Sequence, residues 1–360
     1  MKTIRKTGIQ NFWLEFFSER NLLHPNTHVR FSKILVLAAF LVSCSSAEIE
    51  KAPSDFSVAP DVILDTDIGN SLDDLVALDI LHHYCRQGKI NLLAVMVNHD
   101  VPLAPQATDV FNTWYGAGKI PIGMVTDGVK ESHIWEDYAP LLCNCESYGR
   151  TISDYSTLPD AVALYRKILA KSDDKSVTIL SIGFLTNISR LLESGPDEYS
   201  SLTGIDLVKR KVRSVVAMCG SQNEVEYNVS YDIPSARTVF DKLPVAMSII
   251  PEETTMPVLS EEIFEHTAWA GLHPVALGYS THDQADMNMC WDAIAGLAYV
   301  TGFSDVTISG PYDAEIDGKG MMELTANPNG NFRILSLSPE QQLRNKELLL
   351  NILGTRIDLH

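Results

Sequence analysis

Basic side chains are scarce. The 360 residues hold 28 Lys and Arg against 46 Asp and Glu, a formal net charge of −18. A surface this acidic repels phosphate, which excludes a general nucleic-acid binder. No apolar run reaches the roughly 18 residues of a spanning helix, which excludes a multi-pass membrane protein. Cysteine is sparse as well. Beyond Cys44 only Cys85, Cys143, Cys145, Cys219 and Cys290 remain, an odd set at irregular spacing that makes no disulfide framework. Cys143-Asn-Cys145 is half of a zinc site with no second pair, so unpaired thiols are expected. Internal repeats and low-complexity tracts are missing. What is present is ordinary globular composition, 45% hydrophobic and 21% charged, in a length that suits one large α/β domain or two small ones.

The N-terminal stretch reads as an export signal. Residues 34–42, ILVLAAFLV, form a short apolar core behind Arg30 and Lys33. Leu41-Val42-Ser43-Cys44 follows, then the polar SSAEIEKAPSDFS. Small residues before a cysteine resemble a bacterial lipoprotein signal, in which Cys44 becomes the lipid-bearing N-terminus. A plain secretory signal is the simpler alternative. The segment ahead of the apolar core is longer than such signals carry, and translation from Val29 would give an ordinary length. The expected organisation is a signal segment over 1–43, a linker over 44–60 and a catalytic domain over 61–360. The chain would then be exported and held at a bacterial membrane by its lipid anchor alone.

From residue 61 strand-like and helix-like segments alternate. Val62-Ile63-Leu64, 92–97 (LLAVMV), 177–182 (VTILSI) and 212–218 are uninterrupted apolar runs. Helical patterns fill 75–84, 105–115, 160–171 and 185–192. This alternation predicts an α/β fold, a mostly parallel central sheet with helices on both faces. Such sheets bind ligands at the carboxyl ends of their strands.

The richest strand end is the first. Asp65, Asp67, Asp73 and Asp74 crowd one strand–loop–helix junction. Capping of the next helix accounts for Asp73 and Asp74 but not for Asp65 and Asp67. Converging carboxylates repel one another unless a proton or cation neutralises them. Oxygen-only donors suit a hard ion such as Ca²⁺ or Mg²⁺.

Asp65-Thr-Asp67-Ile-Gly69 followed by Asp73-Asp74 and an apolar helix resembles the nucleoside hydrolases of the inosine–uridine-preferring type, in a bacterial branch with a longer spacing between the acids. Four further segments, in order, carry the resemblance. Val177 to Asn187 is similar to the strand and turn whose carbonyl, here that of Ile182, holds the metal. Val215-Val-Ala-Met218-Cys-Gly220 is similar to a strand ending in Met-Gly-Gly. Glu226-Tyr-Asn228 resembles the sugar-binding Glu-Phe-Asn, and Trp291-Asp292 the late metal-binding segment.

The resemblance implies a Rossmann-like nucleoside hydrolase fold and hydrolysis of an N-glycosidic bond through an oxocarbenium-like transition state. It implies one Ca²⁺ per chain, held by Asp67, Asp74, the Ile182 carbonyl and Asp292. Asp67 would also serve as general base. Asp73, Met218, Glu226 and Asn228 would hold the nucleoside, the small-molecule partner; association into a homo-oligomer stays open. Asn98 is either a further sugar contact or a turn-former before His99-Asp100, and Asp65 a support for the loop. Trp291 stands where familiar members place a histidine that protonates the leaving base. It can stack on a base but supplies no proton. His99, His273 and His282 are available elsewhere, and Gln222 and Asn223 are candidates for a missing sugar-contacting asparagine.

Two other readings compete. Asp65-Thr-Asp67 is similar to the start of the haloacid-dehalogenase-type phosphatases, but Gly69 stands where that family needs Thr or Val. A lipid-anchored nucleoside- or sugar-binding protein that has lost turnover is the alternative from outside the enzymes.

Overall fold

In the computed structural model of the protein, residues 59–69, 71–130, 138–259, 273–279 and 287–354 are described. The chain opens with β1 (Asp61–Thr66), α1 (Asp73–Arg86), β2 (Asn91–His99), α2 (Ala104–Trp114) and β3 (Ile122–Val129). It continues with α3 (Tyr138–Asn144), α4 (Ala161–Lys171), β4 (Val177–Ser181), α5 (Thr186–Glu193), α6 (Gly204–Lys211) and β5 (Val212–Met218). Then come α7 (Tyr227–Tyr231), α8 (Ile233–Lys242), β6 (Met247–Ile250), β7 (Met256–Leu259), α9 (Pro274–Tyr279), β8 (Met287–Cys290) and α10 (Asp292–Val300). The last elements are β9 (Thr307–Ile316), β10 (Met322–Ala326), β11 (Phe332–Ser336) and α11 (Pro339–Gly354).

Nine strands form one sheet in the order β10-β9-β11-β6-β5-β4-β1-β2-β3. β1, β2, β3, β4, β5, β6 and β11 run parallel, and β9 and β10 pair antiparallel at one edge. The alternation of β1 shows why both faces are covered. Val62 and Leu64 join an apolar core with α1 and α10 on one face, while Ile63 joins a second core with α4, α5, α6 and α8 on the other. Every one of these three side chains is wholly buried. A strand with no solvent-facing side must be apolar at successive positions, which is the pattern its sequence carries.

Two elements were not expected from the sequence. The antiparallel hairpin β9–β10 extends the sheet, and its exposed, polar-rich strands look no different from loop in sequence. β7 and β8 make a separate two-stranded antiparallel ribbon.

The strand order also places the site. β1 lies between β2 and β4, so chain order runs outward in both directions from the β1–β4 boundary. At such a reversal the following loops diverge to opposite faces and leave a crevice at the carboxyl ends. Thr66 and Asp67 stand at one lip of that crevice, and Ile182 and Gly183 at the other. Among the described residues no helix is long and apolar enough to cross a membrane.

Candidate active site

Asp65 does not face the crevice. It is wholly buried, and its Oδ1 accepts from Asn98 Nδ2 at 2.7 Å and Asn187 Nδ2 at 3.2 Å. Its Oδ2 accepts from the Tyr165 hydroxyl at 2.7 Å. Burial outweighs these three hydrogen bonds and pushes its pKa up to about 7. The side chain is a strut that ties β1 to β2, α4 and α5. Asn98 belongs to the same strut. It lies inside β2 rather than in a turn, wholly buried, and its Oδ1 accepts from the Phe184 amide at 3.2 Å. The turn-forming alternative is thereby corrected: Asn98 links the Asp65 carboxylate to the loop after β4.

That loop presses on Asp67. A Cβ added to Gly183 would stand 2.5 Å from the Asp67 amide nitrogen, 2.7 Å from Asp67 Oδ1 and 2.7 Å from Asn98 Oδ1. Only glycine fits such an approach. Ile182 is buried, with its amide donating to the Asp65 carbonyl at 2.8 Å. Gly183 was not among the expected site residues. Its signal was a glycine wedged between an apolar strand and a helix start.

The acid pair at the start of α1 does not cap that helix, whose N-cap is Leu72 with no side-chain hydrogen bond. Asp73 instead reaches across the fold. Its Oδ2 accepts from the amides of Trp291 at 2.9 Å and Asp292 at 3.0 Å, capping α10 from 218 residues away. Its Oδ1 lies 2.7 Å from Ser71 Oγ. Asp74 accepts from the Thr66 hydroxyl and lies 3.2 Å from Ser71 Oγ. Thr66 in turn accepts from the Ile68 amide at 3.2 Å, which curls the strand end back over the acids. One carboxylate thus docks α10 so that Asp292 enters the crevice beside Asp67 and Asp74.

Asp67, Asp73, Asp74 and Asp292 are all buried. Burial raises the pKa of Asp74 well above the carboxylate range, and the charges of Asp67 and Asp73 raise it further. For Asp292 burial is again the largest cause, followed by the charges of Asp73, Asp74, Asp67 and Glu226. Every charged group that acts strongly on Asp292 is another carboxylate. Buried, mutually repelling oxygen donors are the chemistry a hard divalent cation satisfies. Among the described residues no three His, Cys, Asp or Glu side chains are drawn together closely enough to grip one ion; the Asp73 and Asp74 oxygens are engaged by Thr66, Ser71 and the α10 amides. The donor types fit the cation.

The second half of the site grows from β5. Glu226 caps α7 and is buried; its Oε1 accepts from the Asn228 amide at 2.7 Å and its Oε2 from those of Gly220 and Val229 at 3.0 Å each. Burial nevertheless lifts its pKa to about 7. Asn228 Nδ2 donates to the Met218 carbonyl at 3.2 Å and lies 3.4 Å from its sulfur. Met218, Glu226 and Asn228 therefore form one corner. Asn223 is exposed and turns away, donating to Glu253 at 2.8 Å, and the Gln222 amide goes to the same carboxylate at 3.0 Å.

Trp291 is half-buried, and its indole N–H donates to the Glu252 carbonyl at 2.9 Å. His99 is buried edge-on against Phe184, with ring centroids 5.9 Å apart. His273 lies elsewhere, with Nε2 3.2 Å from Asp79 Oδ1. His282 and Cys44 lie outside the described residues. Cys143 and Cys145 are free thiols, as are Cys85, Cys219 and Cys290.

A doubly wound parallel sheet with buried carboxylates massed at the carboxyl ends of its central strands defines an α/β protein with a polar strand-end site. The chain belongs to the inosine-uridine preferring nucleoside hydrolase family, whose profile matches residues 62–329. It is thus a hydrolase acting on N-glycosidic bonds. The solved structure of a plant nucleoside hydrolase is similar at 15% identity and a TM-score of 0.63, over 82% of this chain and 99% of that one. An inosine-uridine preferring nucleoside hydrolase from Bacillus anthracis gives 16% identity and a TM-score of 0.63, over 81% and 99%. An inosine-guanosine nucleoside hydrolase gives 16% and 0.65, over 82% and 98%. At these identities the likeness is one of fold. No curated protein sequence matches the chain.

Proposed function

We propose that the protein hydrolyses ribonucleosides to ribose and free base with one Ca²⁺ held by Asp67, Asp74, Asp292 and the Ile182 carbonyl. The observation that carries this is the burial of Asp67, Asp73, Asp74 and Asp292 at one crevice, where they repel one another. When bound, the cation supplies charge that offsets this repulsion and acidifies a water beside it. Asp67, at the strand end, accepts the proton of the water that adds to the sugar. Asp73 positions α10 and so Asp292. Glu226 and Asn228 present a carboxylate and an amide to the sugar hydroxyls, whose chemistry suits vicinal diols, with Met218 closing that corner.

Free ribose released from a panel of nucleosides, with and without chelator, tests this reading. Expected is release that stops with chelator and returns with Ca²⁺. Tight nucleoside binding without ribose release supports the binding-protein alternative, which the tryptophan in the histidine's place favours. For location we propose a lipid anchor at Cys44. A Cys44→Ser chain should leave the membrane fraction; a variant that partitions as the native chain does removes this assignment.

A further inference from the structure

Two of the groups weighed as donors are unsuited to protonate a departing base. Trp291 has no titratable proton, and the His273 ring is occupied with Asp79 and the Val275 amide. Glu252 follows β6 at the same end of the sheet and is tied into the site through its backbone at both sides. Its amide donates to the Gly220 carbonyl at 3.1 Å, and the Gly220 amide in turn donates to Glu226 at 3.0 Å. Its carbonyl accepts from the Trp291 indole at 2.9 Å. Glu252 thus bridges the β5 corner, which carries Glu226, and the α10 start, which carries Asp292.

The side chain of Glu252 is half-buried, and its Oε2 is sealed from solvent with no hydrogen-bond partner among the described residues. A buried carboxylate oxygen left unpaired is costly, and a carboxylic acid whose O–H meets a ligand acceptor is the arrangement that relieves it. We propose that Glu252 is the acid that protonates the departing base, in the position beside Trp291 that lacks a histidine. This rests on the hydrolase reading above.

Desolvation is the largest influence on this carboxyl, followed by the charges of Glu226 from the end of β5, Glu224 from the following loop and the neighbouring Glu253; together they lift its pKa to about 7. All push the same way, toward the protonated form. The substrate class that suits such a donor is a nucleoside whose base offers a ring nitrogen lone pair, as the imidazole nitrogen of a purine does. The step balances. The bond between C1′ and the base nitrogen breaks with its electron pair leaving on the base, and the Glu252 proton passes to a base nitrogen. Water adds its hydroxyl to C1′ and its other proton goes to Asp67. Solvent then carries one proton from Asp67 back to Glu252.

Inosine and p-nitrophenyl riboside separate the acid from every other role, because p-nitrophenolate leaves without protonation. In Glu252→Gln, kcat on inosine should fall on the order of 10²–10⁴-fold, the usual worth of a positioned acid, while p-nitrophenyl riboside changes by less than about threefold. The native rate on inosine should decline as pH rises through about 7, since the acid form is lost there, and the variant should lose that decline. Glutamine keeps the main-chain carbonyl that holds Trp291, so a purely structural contribution to the indole survives. Glu224→Gln removes one of the charges that hold Glu252 protonated, so it should move the decline on inosine to lower pH while p-nitrophenyl riboside stays near the native rate. Equal losses on the two substrates, or a native pH profile in the variant, overturn the proposal while the hydrolase reading stands. A native protein that releases ribose from neither substrate overturns both.

Discussion

Two regions bury charge in opposite ways. On α4, Arg166 is buried and fully answered. It donates to both oxygens of Asp197 at 2.7 and 3.1 Å, to Ser194 Oγ at 2.9 Å, and to the Ser200 and Leu202 carbonyls at 3.1 and 2.9 Å. On α2, Asp109 is buried and accepts from the amides of Thr151 and Ile152 and the hydroxyls of Thr151, Tyr155 and Thr113. These groups pin the 151–155 and 194–202 loops against helices. At the sheet's carboxyl end the carboxylates face one another instead, and their charges raise one another's pKa. The first arrangement stabilises the fold; the second stores repulsion that a ligand can release. Buried charge marks a site only where its partners have the same sign.

The largest effect should come from removing one member of the repelling set. Asp292→Asn should lower nucleosidase activity by about a thousandfold or more, roughly 4 kcal/mol in activation free energy, and lose Ca²⁺ by elemental analysis. Its stability in chelator should hold or rise, since a like-charge contact is gone. Activity that survives with normal metal content would take Asp292 out of the ligand set.

Arg166→Ala should do the reverse. It takes the buried guanidinium from Asp197, from Ser194 Oγ and from the Ser200 and Leu202 carbonyls and should cost about 3 kcal/mol by denaturant unfolding, with kcat per folded molecule unchanged. A drop in kcat at full folding would erase the contrast between the two regions.

Trp291→Ala sits on the border. Its amide is kept, so Asp73 still caps α10, but the indole contact to Glu252 is lost. Binding of base-containing substrates should weaken by about 1–3 kcal/mol, the scale of an aromatic–base stack. Equal weakening for ribose alone would show that the indole acts through the sugar corner instead.

The smallest effect is on the pH dependence of stability. Asp65 and Glu226 have folded-state pKa values raised to about 7, and Asp73, Asp74 and Asp292 are raised too. A carboxyl whose pKa rises on folding contributes stability below its unfolded value that is lost as pH climbs through the folded one. In chelator, Tm should therefore fall from pH 5 to 8, as these carboxyls lose their protons. With Ca²⁺ the trend should flatten or reverse, because binding requires ionised ligands. A flat profile in chelator would mean that the repulsion is relieved without a cation.

Much of this contrast was visible before the fold was known, but unevenly. The Asp65 to Asp74 run announced the strand-end site because acids directly after an apolar strand have no structural reason of their own. Arg166 and Asp109 gave no signal, since a lone charge in an amphipathic helix looks solvated until its loops are placed. Glu252 was missed for a related reason. Pro251-Glu-Glu-Thr-Thr reads as an ordinary polar turn after a strand, and only the hydrogen bonds to Gly220 and Trp291 bring it to the crevice.

By itself the sequence determined the parallel α/β core, because strands buried on both faces must be apolar over most of their length and the helices between them must be amphipathic. It also determined the acid motif and the Glu226–Asn228 pair, whose spacing is local. The tertiary structure alone decided which acids face the crevice and which brace it. Asp65 and Asp67 are two residues apart in one segment, yet the first is turned into Tyr165, Asn98 and Asn187 and the second out against Gly183. Asp73 was expected to hold the nucleoside, and its Oδ2 is on the amides that open α10. Side-chain direction at a strand end depends on what packs beside it, and those neighbours come from segments about 30 to more than 200 residues away.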